Sequence, residues 1–360
     1  PMVKDEQDIY FTDRYVTDVI TDDAIEFLDR WAVGKPAGSA GGNAAAEESV
    51  PFCLHVNYTA PHSPWEREEH PAGVFNEYYD GGTFESVPDV PRHPWERGRT
   101  DFFSSAERRR EKLSGYYAAV TCMDSGVGKI VAWLEEHELA EDTLVLFTSD
   151  NGMNMGHHGI CGKGNGTWPL NMYDTSVKVA FIAWQPCSVA SWRVDRGLYS
   201  HYDVLPTIRE WVGTAQPEDA SLPGESMAAV LRGEPDGDGD RSGKQPVVVY
   251  APEDVQSEYG PTRMIRTSGL KYVHRYPGGP HELYDLENDP DETTNLFHDG
   301  ARREDIIAMR ARLGDWFARY VDPRMDGAFK AVSGQGQLDL ATVDQKGDVP
   351  FAQLWMESWW

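Results

Sequence analysis

The sequence predicts an α/β fold, a mostly parallel sheet flanked by helices, followed by a smaller C-terminal α+β subdomain with an antiparallel sheet. Three short apolar runs, 51–58 (PFCLHVNY), 143–149 (TLVLFTS) and 177–184 (VKVAFIAW), alternate with helical patterns. That alternation is what a sheet covered by helices on both faces produces. A polar, Gly-rich stretch at 232–245 (RGEPDGDGDRSGKQ) then breaks the pattern, and closely spaced strand-like runs follow it. The division expected is a main domain over 1–235, a subdomain over 246–330 and a tail over 331–360.

Taken in order, Val16, Val19, Ile20, Ala24, Phe27, Leu28 and Trp31 recur at helical spacing, so 15–31 reads as an amphipathic helix. The stretch 34–49 (GKPAGSAGGNAAAEES) is Gly, Ala and Ser rich and reads as a loop. After the apolar run at 51–58, a Pro- and aromatic-rich loop is expected to about Arg99. Ser104 and Glu107 fit a capping box, opening a long helix through Leu113, Tyr117, Val120, Met123, Val127, Ile130, Val131 and Leu134. A short helix is expected over 203–212 despite Pro206. Strands are expected at 247–250, 263–267 and 271–276, the last two joined by a turn at Ser268 and Gly269, and a helix at 303–320.

Composition narrows the function. With 33 Lys+Arg against 59 Asp+Glu the formal charge is -26, which argues against sequence-independent nucleic-acid binding, since that needs cations to displace counterions. Hydrophobic content of 40% with 12 Trp, 16 Tyr and 13 Phe marks a globular chain. No run approaches the roughly 18 apolar residues of a membrane helix. Residues 1–8 (PMVKDEQD) lack the apolar core of a signal peptide, and a chain opening at Pro is expected to be a fragment or processed product. None of the four cysteines lies in a CxxC pair; Cys53 and Cys122 sit in apolar patterns and are expected to be buried free thiols.

The most informative stretch is 147–163 (FTSDNGMNMGHHGICGK). Asp150 and Asn151 follow a strand directly, at the end where open α/β sheets place ligands. A carboxylate beside an amide carbonyl offers two oxygens to a hard cation, although an Asp-Asn-Gly turn alone would read the same way. Lys163 lies between Gly162 and Gly164, leaving backbone room for an anion to reach the ammonium. A P-loop fails on spacing, and Gly164 stands where Ser or Thr is needed. His157 and His158 are adjacent and diverge, so they do not form a two-histidine metal face. Near 58–65 (YTAPHSPW), Pro61 and Pro64 stiffen the chain around His62, whose imidazole can donate to an anion or protonate a leaving oxygen. Arg92, His93, Trp95, Arg97 and Arg99 form a basic, aromatic cluster in an otherwise acidic chain, suited to an anionic ring, or simply a solvated loop.

Five segments together, APHSP at 60–64, SDNG at 149–152, GHHGICGK at 156–163, RMIRTSGLKYVHR at 263–275 and ELYDLENDPDETTNL at 282–296, resemble the sulfatase family of the alkaline phosphatase superfamily, in the family's order. The resemblance implies an alkaline phosphatase-like fold and a sulfuric ester hydrolase acting on a sulfate monoester, such as one on a sulfated carbohydrate. It implies that Asp150 and Asn151 ligate Ca2+ (or Mg2+), that Lys163 and His62 contact the sulfate and its bridging oxygen, and that His158 lies near them. It also implies a periplasmic or secreted protein.

The family's C-x-P-x-R or S-x-P-x-R segment, whose Cys or Ser becomes formylglycine, has no match among the 360 residues. Its early Asp-Asp pair has none either, because Asp22 and Asp23 lie within the first helical pattern. The expectation is therefore a C-terminal part of a sulfatase, inactive by itself, with the formylglycine supplied by a segment absent here. Two readings stand beside it: a phosphodiesterase or phosphonate monoester hydrolase of the same superfamily, and a non-catalytic relative that binds sulfated ligands.

Overall fold

A computed structural model describes residues 2–4, 7–9, 14–33, 51–97, 100–215, 222–234, 247–251, 262–276 and 278–323. The predicted loop at 34–49, Arg99, most of the 232–245 stretch and the tail beyond 323 lie outside the described residues. The chain folds into two compact units, one of Pro1–Pro88 with Gly98–Leu144, the other of Asp89–Arg97 with Val145–Trp360.

The first unit opens with a short antiparallel hairpin, β1 (Met2–Lys4) and β2 (Gln7–Ile9). Helices α1 (Val16–Val33), α2 (Ala72–Gly81) and α3 (Ala106–Glu136) follow, with α1 and α2 both packed on α3. The apolar stripe of α1 buries Val19 and Leu28, and Asp29 accepts from the Trp133 indole at 2.8 Å. The sequence reading missed α2, whose Phe75, Tyr78 and Tyr79 share one helical face at i, i+3 and i+4; Phe75 is fully buried. The cap of α3 is Ser105, accepting from Arg108 N at 3.1 Å, while Ser104 donates to Asp101 O. The capping-box pattern was thus one residue early.

Residues 51–58 are not a strand: they have no ladder partner among the described residues, and their exposure alternates. That alternation turns Phe52, Leu54, Val56 and Tyr58 inward, Phe52 meeting the Trp31 ring edge-on at 4.7 Å. Cys53 is consequently exposed, and Cys122 is half-buried, so neither is the buried thiol expected; none of the four cysteines forms a disulfide.

The second unit contains β3 (Val145–Thr148), β4 (Asn154–Met155), β5 (Cys161–Gly162), α4 (Asp174–Val177), β6 (Phe181–Trp184), α5 (Val204–Trp211), α6 (Ala228–Leu231), β7 (Val247–Ala251), β8 (Thr262–Arg266), β9 (Leu270–Arg275), β10 (Glu282–Asp285) and α7 (Arg303–Tyr320). Strand β3 pairs antiparallel with β6, Val145 opposite Trp184 and Thr148 opposite Phe181. No parallel pair occurs among the described residues, and Ile182 remains 58% exposed.

The C-terminal sheet runs β10-β9-β8-β7, antiparallel throughout. Its last strand, β10, carried no turn-and-alternation signal. Helix α7 covers the sheet: Met309, Leu313 and Phe317, spaced four apart, pack against Ile265, Tyr272 and Leu283. The conspicuous motifs of this region are buried polar clamps. Lys271, wholly buried, reaches Asp174 at 2.5 Å and Glu292 at 2.6 Å. Arg275, 2% exposed, pairs with Glu282 at 3.0 Å. Buried charges persist only when paired in this way.

Candidate active site

Strand β3 delivers Ser149, Asp150, Asn151 and Gly152 at its C-terminal end. Asp150 Oδ1 accepts from Asn151 N at 2.9 Å and from the Ser149 hydroxyl at 3.3 Å, and its side chain faces solvent. Gly152 is required, because a Cβ there would stand 2.3 Å from Thr175 O. His201, just before α5, donates from Nε2 to Ser149 O at 2.8 Å. Sequence reasoning missed this histidine.

The hairpin β4–β5 carries the remaining residues. Between its strands the turn passes through left-handed backbone at Gly156 (φ 113°), His158 (φ 55°) and Gly159 (φ 70°). Just past β5, Lys163 Nζ donates to Asn151 Oδ1 at 3.0 Å. The fold therefore joins Asp150, Asn151 and Lys163, positions that lie on two separate loops, into one cluster. An ammonium beside an exposed carboxylate and an amide oxygen can hold an anion against a cation.

The donors suit a hard metal ion in kind. Asp150 and Asn151 supply two oxygens where Ca2+ takes six to eight, and among the described residues no three His, Cys, Asp or Glu are grouped so that they could hold a metal ion. The oxygen of Asn151 that would ligate the cation is the one that accepts from Lys163.

His158 is held differently. Its ring stacks on Tyr173, centroids 3.8 Å apart and planes 8° apart. Burial first, then His157, His93 and Lys271, pushes its pKa down to about 4. At neutral pH it is an uncharged imidazole packed on a phenol. Burial, then Glu282, pushes the Tyr173 hydroxyl up to about 12.

His62 belongs to the first unit. Its Nδ1 donates to Ser63 O at 2.9 Å, which leaves Nε2 with the lone pair in the neutral ring and makes it a donor once protonated. The residue lines a cavity of about 630 Å³ together with Tyr15, Thr17, Glu69 and His70.

The basic, aromatic cluster at 92–97 is committed to packing. Residues 89–97 lie along the hairpin loops as a strap: His93 N donates to Gly159 O at 3.0 Å, Arg97 N to Gly166 O at 3.2 Å, and Trp168 N to Trp95 O at 2.9 Å. Arg92 pairs with Glu96, His93 Nε2 lies 3.2 Å from the Tyr173 hydroxyl, and Arg275 sits over the Trp95 ring at 5.5 Å.

Two buried asparagines escaped the sequence reading. Asn154 (0% exposed) and Asn171 (1%) bind the backbone on both sides of Lys163. Their signal was present in GMNMG and PLNMY, where a lone amide sits in an apolar run. Such an amide is buried only when hydrogen-bonded.

Comparison with known proteins follows this geometry. The Sulfatase family profile matches residues 3–214, more than half of the chain. The profile of the N-sulphoglucosamine sulphohydrolase C-terminal region matches 168–318. A choline-sulfatase of Rhizobium meliloti is 29% identical over 263 residues, covering 69% of this chain and 47% of its own. An N-acetylglucosamine-6-O-sulfatase of Bacteroides thetaiotaomicron is 23% identical over 351 residues, covering 79% and 58%. The chain thus spans about half the length of the curated relatives it matches. Among solved structures, one in complex with its substrate D-glucosamine-2-N,6-O-disulfate aligns with TM-score 0.65 at 19% identity, covering 91% of this chain and 73% of that one. This likeness bears on the fold, which is that of the alkaline phosphatase-like sulfatases.

Proposed function

The chain belongs to the sulfatase family, and on that premise we propose that the protein it forms hydrolyses a sulfate monoester carried on a carbohydrate. The observation that carries the reading is the 3.0 Å contact of Lys163 Nζ with Asn151 Oδ1 beside the exposed Asp150. Asp150 and Asn151 would hold part of the coordination of a divalent cation, Ca2+ or Mg2+, which supplies charge neutralisation for the sulfate oxygens. Lys163 places a positive charge where the bridging oxygen gains electrons as the S–O bond breaks. His62, donating from Nε2 when protonated, can return a proton to the departing alcohol. His158 supports the site as a neutral ring fixed on Tyr173. The nucleophile, a formylglycine by family resemblance, comes from outside these 360 residues. A sulfated amino sugar is favoured as substrate by the glucosamine disulfate bound to the fold neighbour.

The test uses the full natural protein with Ca2+, assayed on 4-nitrophenyl sulfate and on N- and O-sulfated glucosamine. Lys163→Ala is expected to lower kcat by about 10²- to 10³-fold, the range for losing one donor to a developing oxyanion. An undiminished Lys163→Ala enzyme would remove the lysine from the mechanism. Hydrolysis of phosphate diesters or phosphonate monoesters in preference to sulfates would move the protein to the other branch of the superfamily.

A further inference from the structure

The lysine at the centre of the site sits on weak backbone. Gly162, Lys163 and Gly164 form a segment in which two of three residues lack a Cβ, and Gly162 has φ of 145°. Glycine gives up the most freedom when ordered, so something must hold this segment if Nζ is to stay put. Two buried side-chain amides do so. Asn154 Nδ2 donates to Gly162 O at 2.9 Å. Asn171 Nδ2 lies 3.1 Å from Lys163 O and 3.1 Å from Gly164 O. Three successive carbonyls, one on each side of the lysine and its own, are therefore gripped by side chains no more than 1% exposed.

The two amides are locked to each other through Ser176, itself 2% exposed. Its hydroxyl donates to Asn171 Oδ1 at 2.6 Å and accepts from Asn154 Nδ2 at 2.6 Å. Thr175 donates to Asn154 Oδ1, which fixes the orientation of that amide. Donors and acceptors run in one direction through the whole relay, leaving no alternative amide flip with equal bonding.

The far side of the same segment belongs to the C-terminal sheet. Residues 170–174 offer every second position to that sheet. Leu170 O accepts from Arg275 at 2.7 Å, Met172 O from Lys271 at 2.9 Å, and Asp174 pairs with Lys271 and Arg266. Between them Asn171 turns to grip the lysine turn, and Tyr173 stacks on His158 while also packing against Tyr284 of β10.

We propose that Asn154 and Asn171 are positioning residues for Lys163, and that the C-terminal sheet acts on the lysine through Asn171. This rests on the reading of Lys163 as the group that meets the departing oxygen. A displacement of about 1 Å at such a group can cost of order 10²-fold in rate, which makes a dedicated brace worth its burial.

The test compares Asn171→Ala, Ser176→Ala and Ser176→Thr in the full natural protein on aryl sulfates of graded leaving-group acidity. Asn171→Ala is expected to lose roughly tenfold or more in kcat with little change in KM, and to lose most on the poorest leaving groups. Ser176→Ala should follow it in weaker form and Ser176→Thr should restore the rate. Added to Lys163→Ala, the Asn171→Ala change should cost nothing further, because the group being positioned is gone. A double variant tenfold below Lys163→Ala, or a loss independent of the leaving group, would overturn the proposal and mark Asn171 as merely structural.

A second measurement needs no turnover. Gly166 N donates to Lys163 O at 2.8 Å, so its amide exchange should accelerate about tenfold in Ser176→Ala or Asn171→Ala, while the amides of β9 stay unchanged. Unaltered Gly166 exchange overturns the proposal whatever the enzyme does. Accelerated exchange in a protein that cleaves no sulfate supports the grip on the turn and counts against the function instead.

Discussion

Gly159 has φ of 70°, and a Cβ on it would stand 2.0 Å from Pro91 O. Backbone preference and close approach both demand glycine there. Gly159→Ala is expected to cost about 2–4 kcal/mol in denaturant unfolding; a change below about 0.5 kcal/mol would mean that the strap does not lie on the turn. The two most strongly perturbed histidines make a second prediction. His158 is pushed down to about 4, and so is His274, by burial first and then by His281, Arg310 and Arg263. Each ring is neutral in the folded protein while the unfolded chain binds a proton near pH 6.5. The unfolded state therefore takes up more protons below 6.5, and stability falls as the pH drops from there towards 4. Proton NMR titration should give both rings midpoints near 4; midpoints near 6.5 would contradict their burial. At this scale Asp150, Asn151 and Lys163 could be named as candidates from the sequence, because a strand end and flanking glycines are local signals. Asn154 and Asn171 left only the mark of a lone amide in an apolar run, which names no partner, and His201 left none, since the carbonyl it meets lies on another loop.

The extended segment 170–174 and strand β9 act as one element. Lys271 joins Asp174 and Glu292, and removing it leaves two carboxylates buried without their shared cation. Burial already pushes Glu292 up despite that partner. Lys271→Met is expected to destabilise by about 3–5 kcal/mol. Lys271→Met with Glu292→Leu should recover much of that loss, since Asp174 keeps Arg266. Equal stability of the single variant and the parent, measured by urea unfolding, would show that the clamp does not hold the segment. Helices α1, α3, α5 and α7 were legible from apolar periodicity, and α7 matches its expected bounds. The strand expected at 51–58 was not there, because an apolar run records where side chains are buried and says nothing about whether the backbone finds a ladder partner. The same limit applies to 145–148 and 181–184, where the pattern located both strands and placed them in a mostly parallel sheet, whereas the two pair antiparallel with each other.

At the scale of the whole molecule, no C-x-P-x-R or S-x-P-x-R segment occurs in these 360 residues, and Asp150 and Asn151 supply two metal oxygens where six to eight are usual. The chain tested alone, with Ca2+ present, is expected to turn over no 4-nitrophenyl sulfate above background. Turnover that Lys163→Ala abolishes would show that some residue within the 360 serves as nucleophile. The family could be read from the order of five motifs, each weak locally. Their physical meaning could not, because RMIRTSGLKYVHR and ELYDLENDPDETTNL act as buried clamps far along the chain from the lysine they stabilise.

The strap at 89–97 has a bearing on how the protein is made. It belongs with the second unit, although the residues before and after it in the chain belong to the first. Its hydrogen-bonding partners at Gly159 and Gly166 are translated roughly seventy residues later, which at about 5–20 residues per second is a wait of several seconds on the ribosome. For that interval the backbone groups of His93, Trp95 and Arg97 must be satisfied by water or by a chaperone. The same threading governs dissection: a split gene cut after Leu144 would place the strap in one product and the turn it secures in the other, so neither half could be expressed with its own bonds complete.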